Sequence, residues 1–597
     1  MCPRSVVSFL LAVSAATAQQ NPPQAGKPPI LPASEVKPGM QATAWTVFEG
    51  TKPEAVPIEI IGLWRNAWGP KQDIILGKMG GRAARTNVAG GMSGSPVYVD
   101  GKLIGAVALR LSVFSPDAIC GITPIELMLE INDFDQSKPP ARNVALTLPD
   151  EWRPRSVSAS PVMVPIEAPL TLSGFTPSTL EHFGPLFEQM GVKAVLGGGG
   201  GTSYDPKPAP GWNTSLKPGE AVAGVLVSGD MSVTGLGTVT YNDGKRVLAF
   251  GHPFFNLGPV AMPMSRGEIL MVLSSQFQPN KFGNATEIVG ALKQDRHSGI
   301  MGILGEQAPT IPVSVRVRSF SDEKTILKQK DLRFNIFVQQ RWTPFLMMLT
   351  TFNSIQGLND FAEESTYRLS GSIEVDGKRT VNLATMQAPT DMPVPAPMML
   401  AGWWGEKFNR LFANSVAPPR LSKVDLQIDL LPERRTAAVD SVWTSRAEAA
   451  PGENVTVKAF LRPYRGERIE RSVTLQIPRG LASGEHRILV SDAETLNRMQ
   501  SAAGQLNRFL DLPQTLSLIQ QERANNKLYI SILEPSPTVY YEDKALTNLP
   551  GSVMNVLQGS RNPSRPLLSA GETATERIAL EFDHVITGSA YAKIRIQ

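Results

Sequence analysis

The residues with the clearest capacity for chemistry lie between positions 88 and 109, in the run VAGGMSGSPVYVDGKLIGAVAL. A glycine-rich turn carries two hydroxyls, Ser93 and Ser95, and leads into a short apolar run, Asp100-Gly101 and a second apolar run. Asp-Gly between two such runs predicts a two-residue hairpin, because a type I′ turn needs φ > 0 at both central positions. Glycines around a serine allow backbone N–H groups to converge on a reacting carbonyl, so the pattern suits a serine nucleophile. It equally suits a tight turn with a hydrogen-bonding serine. A nucleophilic serine needs a base, and the chain has five histidines, at 182, 252, 297, 486 and 584. His252 stands apart from the others. It follows a predicted hairpin around Asn242-Asp243-Gly244 and is flanked by Gly251 and Pro253, which free and stiffen the backbone around the imidazole.

The elements that must position these groups read mainly as β-structure. Runs at 42–48, 56–63 and 74–79 are rich in β-branched and aromatic residues and separated by Gly, Pro and Asn. A second β region extends over 221–339, and a hairpin surrounds Asp376-Gly377. Helices are predicted at 125–131, with Thr123 as N-cap, and at 177–190, 341–355 and 399–412. A helical pair at 495–523 is broken at Pro513. Beyond about residue 424, alternating runs resemble half of a β-sandwich.

Composition bounds the function. The chain has 597 residues, 19% charged and 42% apolar, which suits a globular protein of roughly three or four domains at ~150 residues each. Net charge is +4 without a basic block, so no nucleic-acid partner is indicated. Arg4, a short apolar stretch and Ala16-Thr17-Ala18 predict a signal peptide over 1–18 and export to a periplasmic or extracellular location. Later apolar stretches at 345–352 and 396–404 fall short of the ~20 residues of a spanning helix, so no integral membrane segment is expected after cleavage. Of two cysteines, Cys2 leaves with the signal and Cys120 reads as a buried small residue. No His/Cys spacing suggests a metal site, and no cofactor is expected.

Three stretches together resemble the SpoIVB peptidase family, the S55 serine peptidases. They are Gly90-Gly91-Met92-Ser93-Gly94-Ser95-Pro96 with Gly121-Ile122-Thr123-Pro124, then Gly237-Thr238-Val239-Thr240 through Gly251-His252-Pro253, and then Gln294-Asp295-Arg296 with 299–305. The resemblance covers roughly half of the chain. It implies a trypsin-like double β-barrel with Ser93 as nucleophile, His252 as base, and the N–H groups of Gly91 and Ser93 as oxyanion hole. The substrate would be a protein or peptide. Here the histidine follows the serine by 159 positions, the reverse of the sporulation enzyme's order, so the halves read as circularly permuted. The family's aspartate precedes the serine motif, yet residues 78–88 hold no acid. Asp73 is the nearest upstream candidate for the third triad member, and Asp295 is the second.

The expected organisation is a Pro-rich linker at 19–38 and an S55-like domain at 39–345. That domain divides into a serine half (39–138), a linker with a helix (139–218) that includes the five-glycine run at 197–201, and a histidine half (219–345). A helix and hairpin extension (346–420) and a C-terminal β-rich accessory domain (421–597) follow. The expected function is an exported serine endopeptidase working through an acyl-enzyme. The competing expectation is a weak or inactive S55-like scaffold that binds an envelope protein.

Overall fold

The computed structural model describes residues 21–111, 115–138, 146–147, 162–167, 169–197, 203–275, 279–322, 324–358, 364–377, 379–391, 393–414, 418–504, 511–534, 538–541, 544–546, 549–559, 568–570 and 573–597. The predicted signal peptide and most of the five-glycine run lie outside them.

Six strands form a first closed barrel: β1 (Gln41–Thr46), β2 (Glu54–Gly69), β3 (Gln72–Met79), β4 (Pro96–Val99), β5 (Lys102–Leu111) and β6 (Ala118–Pro124). Every pairing is antiparallel and the circuit runs β1-β2-β3-β6-β5-β4 and back to β1. Period-two patterning drives it. Val56, Ile58 and Ile60 of β2 are buried in the core while Ala55, Pro57 and Glu59 face out. The Asp100-Gly101 turn has φ of 48° and 75°, the type I′ geometry that the dipeptide predicts.

A second barrel uses β7 (Ala221–Gly229), β8 (Ser232–Asn242), β9 (Arg246–Ala249), β10 (Gly258–Leu273), β11 (Asn280–Arg296) and β12 (Gly299–Leu304). Its circuit is β7-β8-β9-β12-β11-β10 and back to β7, again wholly antiparallel. Counted from its own first strand, this is the order of the first barrel. The expected double barrel is therefore present, with the serine barrel preceding the histidine barrel. Closure removes the exposed edges that an open sheet would offer for aggregation.

Residues 21–38 are less detached than their composition suggests. Leu103 N–H donates to the Pro29 carbonyl at 2.8 Å and Leu31 N–H to the Leu103 carbonyl at 3.1 Å, while Leu31, Ala33 and Val36 are buried in the first barrel's core cluster. Proline bars this stretch from a full ladder, but isolated hydrogen bonds flank it onto the barrel.

After the second barrel, the same sheet continues through Ile326–Phe337, Thr310–Phe320, Leu421–Leu431, Thr366–Val375 and Arg379–Gln387. Leu421–Leu431 runs parallel to Thr310–Phe320 and antiparallel to Thr366–Val375, so it belongs to this sheet and not to the C-terminal unit. Helices Trp342–Gln356 and Ala396–Phe412 pack on it through Phe352, Trp404 and Phe408. The C-terminal unit is a sandwich of a four-stranded and a five-stranded sheet around Val455, Val457, Leu475, Ile488, Ile530 and Ile532. Its helical pair is Ala493–Gly504 and Leu512–Gln520, with Pro513 in the first turn of the second helix, where proline is tolerated.

Candidate functional site

Ser93 lies in the connection between β3 and β4, and His252 in the connection between β9 and β10. These are the same connection in the two circuits, so the barrels present the two residues from equivalent positions.

The serine turn is built by Gly91 and Gly94, with φ of 85° and 92°. Between them Met92 is fully buried. Its N–H donates to the Ala89 carbonyl at 3.0 Å, and its carbonyl accepts the Ser95 N–H at 3.0 Å and the Ser95 Oγ at 2.6 Å. The Ser95 hydroxyl is thus committed to the turn. The Ser93 Oγ, in contrast, is buried and has no hydrogen-bond partner among the described residues. Alternate N–H groups follow the same division. Those of Gly90, Met92, Gly94 and Ser95 donate to backbone carbonyls, whereas those of Gly91 and Ser93 find no acceptor among the described residues. Buried N–H groups without acceptors are rare in folded proteins.

The histidine barrel clamps this turn. Thr238 N–H donates to the Ser93 carbonyl at 2.7 Å, Thr238 Oγ1 to the Gly91 carbonyl at 2.9 Å and Thr240 Oγ1 to the Gly94 carbonyl at 2.8 Å. The Gly-Thr-Val-Thr stretch of β8 therefore holds the carbonyls while the Gly91 and Ser93 donors stay unclaimed.

His252 follows Phe250 and Gly251, both at φ 69°. The Gly251 carbonyl accepts the Thr123 Oγ1 at 2.7 Å. This corrects the expectation for Thr123. The N-cap of Ile125–Leu129 is Pro124, without a side-chain cap, and the Thr123 hydroxyl instead ties the serine barrel to the residue before His252. Nδ1 of His252 lies 2.8 Å from the Pro253 carbonyl, and a carbonyl only accepts, so Nδ1 carries the proton. Burial lowers the imidazole's pKa to about 4, so the ring is neutral above that pH. Nε2 then bears a free lone pair, and among the described residues it has no hydrogen-bond partner. The structure makes no Ser93–His252 hydrogen bond; both atoms are buried and unpartnered among the described residues.

Asp73 does not join this group. Its carboxylate accepts the Asn66 N–H at 2.8 Å across the end of the β2–β3 hairpin, and the Nδ1–H it was expected to receive goes to Pro253. Proximity in sequence to the serine turn misleads here because β3 carries the chain away from that end of the barrel. Asp295 plays a different part. It is buried, and its carboxylate accepts the N–H groups of Phe254 and Phe255 at 2.7 Å and of Leu257 at 3.1 Å. Burial raises its pKa to about 6. It shapes the loop that follows His252 without touching the ring.

Lys281 escaped the sequence reading. Its side chain is 3% exposed, and Nζ donates to the Thr46 Oγ1 at 2.6 Å. Its stem lies 3.2–3.5 Å from where a Cβ on Gly91 would sit. Burial pulls the amine's pKa down to about 7. Lys281 N–H also donates to the Gly90 carbonyl at 2.9 Å, so the start of β11 crosses the serine loop. No motif marks Lys281; only the crossing of β11 over a loop of the other barrel brings it there.

Cys120 is buried and its thiol is pushed up to about 12, as an apolar core position dictates. Among the described residues no group of three or more His, Cys, Asp or Glu side chains could hold a metal ion, and no helix is long and apolar enough to cross a membrane. Comparison with family models, with curated proteins and with solved structures finds no match for this chain.

Proposed function

We propose that the chain is an exported serine endopeptidase of the S55 type, hydrolysing peptide bonds through an acyl-enzyme on Ser93. One observation carries the reading. Among the described residues, a buried hydroxyl, an imidazole lone pair and two N–H donors are left without partners, all in the two equivalent loops. Leaving such groups buried and unpaired costs about 1–3 kcal/mol each, which makes them unusual unless a reacting group uses them. In the proposed reaction His252 Nε2 takes the Ser93 proton as Oγ bonds to the substrate carbonyl carbon. The Gly91 and Ser93 N–H groups take the oxyanion. The carbon–nitrogen bond then breaks as the imidazolium returns the proton to the leaving amine, and water releases the acyl group by the same steps.

A second reading, a weak or inactive scaffold holding an envelope protein, is favoured by one feature. A backbone carbonyl orients His252 where a triad would use a carboxylate, and an orienting aspartate is worth roughly 10⁴ in kcat. A fluorophosphonate probe separates the two. Peptidase chemistry predicts covalent labelling of the wild-type protein at Ser93 and none in Ser93→Ala. A wild-type chain that stays unlabelled leaves the scaffold.

A further inference from the structure

The edge of β5 changes occupant beside the serine turn. Up to Val107 it is covered by β4 and the turn itself, with Gly94 N–H donating to the Val107 carbonyl at 2.8 Å and Val107 N–H to the Ser95 carbonyl at 2.9 Å. Beyond that point a segment from the connection between the barrels takes over. Ile166 N–H donates to the Ala108 carbonyl at 2.9 Å, and Pro165, Val164 and Met163 stand antiparallel to Leu109, Arg110 and Leu111. The segment is extended and runs toward the serine turn.

It ends between the two halves of the site. The Ile166 carbonyl lies close enough to the His252 ring to favour its protonated form, although Nε2 gains no hydrogen bond from it. The next carbonyl, of Glu167, lies 2.7 Å from where a Cβ on Gly90 would sit. The Ile166 side chain is fully buried in the first barrel's core cluster, to which Val88, Ala89 and Met92 of the serine loop also belong. The Glu167 carboxylate turns back to Arg110 at 3.5 Å.

We propose that residues 108–111 of β5 form a binding edge for an extended polypeptide, and that residues 163–166 of the chain itself occupy it in the free protein. The ligand class follows from the occupant. It is an extended chain that adds a strand to β5, with a branched aliphatic side chain taking the place of Ile166 in the first barrel's core cluster. This is recognition by strand addition, in which main-chain hydrogen bonds supply affinity and alternate side-chain pockets supply selectivity. The internal strand is suited to displacement, since Val162–Pro165 is short and Pro165 has no N–H to give the ladder. With the peptidase reading, on which its catalytic meaning rests, the internal strand competes with an extended substrate for this edge, while Ser93 stays open to a small phosphonylating probe.

The test uses the full chain carrying Ser93→Ala, so that binding is read without turnover. One form is intact, and in the other residues 162–166 are replaced by Gly-Ser-Gly-Ser-Gly. The probe is a fluorescein-labelled Val-Met-Val-Pro-Ile amide, followed by anisotropy. The replaced chain is expected to bind it at least tenfold more tightly than the intact one. Equal binding by both, or no binding by a replaced chain whose thermal transition matches the intact one, overturns the proposal. Ile166→Ala keeps the main-chain pairing and removes the anchoring side chain. It should bind the probe to an intermediate extent, and binding no better than the intact chain overturns the proposal as well. Fluorophosphonate labelling of the replaced chain with Ser93 restored reports on the peptidase reading separately, because peptide capture does not depend on it.

Discussion

His252→Ala is expected to lower the rate of Ser93 acylation by roughly 10⁴- to 10⁶-fold, the loss seen when a hydroxyl nucleophile is deprived of its base. The wild-type rate carries a pH signature that follows from burial. The ring accepts a proton only when neutral, and its folded pKa lies near 4, so acylation should hold down to about that pH and fall below it. An acid limb near the ordinary histidine value of 6.5 would show that the ring is solvated when it works. Stability responds in the same range with two opposing signs. Unfolded His252 takes up its proton near 6.5 and the folded ring near 4, so stability declines as pH falls from 6.5 toward 4. Asp295 acts the other way. Its folded carboxyl keeps a proton up to about 6 while the unfolded one loses it near 3.8, so its contribution declines as pH rises between those values. Labelling rates measured with the fluorophosphonate from pH 3.5 to 8, beside thermal unfolding at each pH, separate the chemical effect from the structural one.

Gly94→Ala should be the most damaging single methyl in the site. The position sits at φ 92°, and a Cβ there would lie 1.9 Å from the Thr238 carbonyl oxygen and 2.4 Å from the Phe250 nitrogen. Both neighbours are backbone in the other barrel, so no rotamer relieves the clash. The strained φ and the forced separation together should cost roughly 3–5 kcal/mol, or about 10 °C in the thermal transition of the barrels. Gly101→Ala is the control. Its φ is also positive, at 75°, but nothing lies within 4 Å of its Cβ site, so only the backbone strain remains. A Gly94→Ala chain no less stable than Gly101→Ala would mean that the barrels are not in contact at the serine turn.

Much of this arrangement was legible because local chemistry and fold agree. Asp100-Gly101 specified its hairpin through the φ values it tolerates, and the pairing of a glycine-framed serine with a glycine- and proline-framed histidine pointed to two loops that hold the same place in the two barrels. What stayed hidden depends on long-range register. Thr123 reads as a helix cap, since a threonine before proline commonly is one, but its hydroxyl is claimed by Gly251 from a strand end 128 positions away. Asp73 was chosen by nearness in the chain, and a β-strand carries its two ends far apart. Leu421–Leu431 alternates like any sandwich strand, and only its neighbours, Thr310–Phe320 and Thr366–Val375, assign it to the earlier sheet. Residues 162–166 are short and hold a proline, so nothing local announces that they complete an edge of β5. Lys281 belongs to no pattern at all, because its burial is created by the meeting of two barrels.

In the proposed reaction Ser93, His252 and the Gly91 and Ser93 N–H groups act on one reacting centre. A crystal structure of the wild-type chain after reaction with a fluorophosphonate tests it most directly. The expected result is phosphorus bonded to Ser93 Oγ, with the phosphoryl oxygen ~2.7–3.1 Å from both N–H groups and His252 Nε2 within hydrogen-bond reach of the adduct. Phosphorus on another residue, or on Ser93 with its oxygen turned away from those two N–H groups, would contradict it.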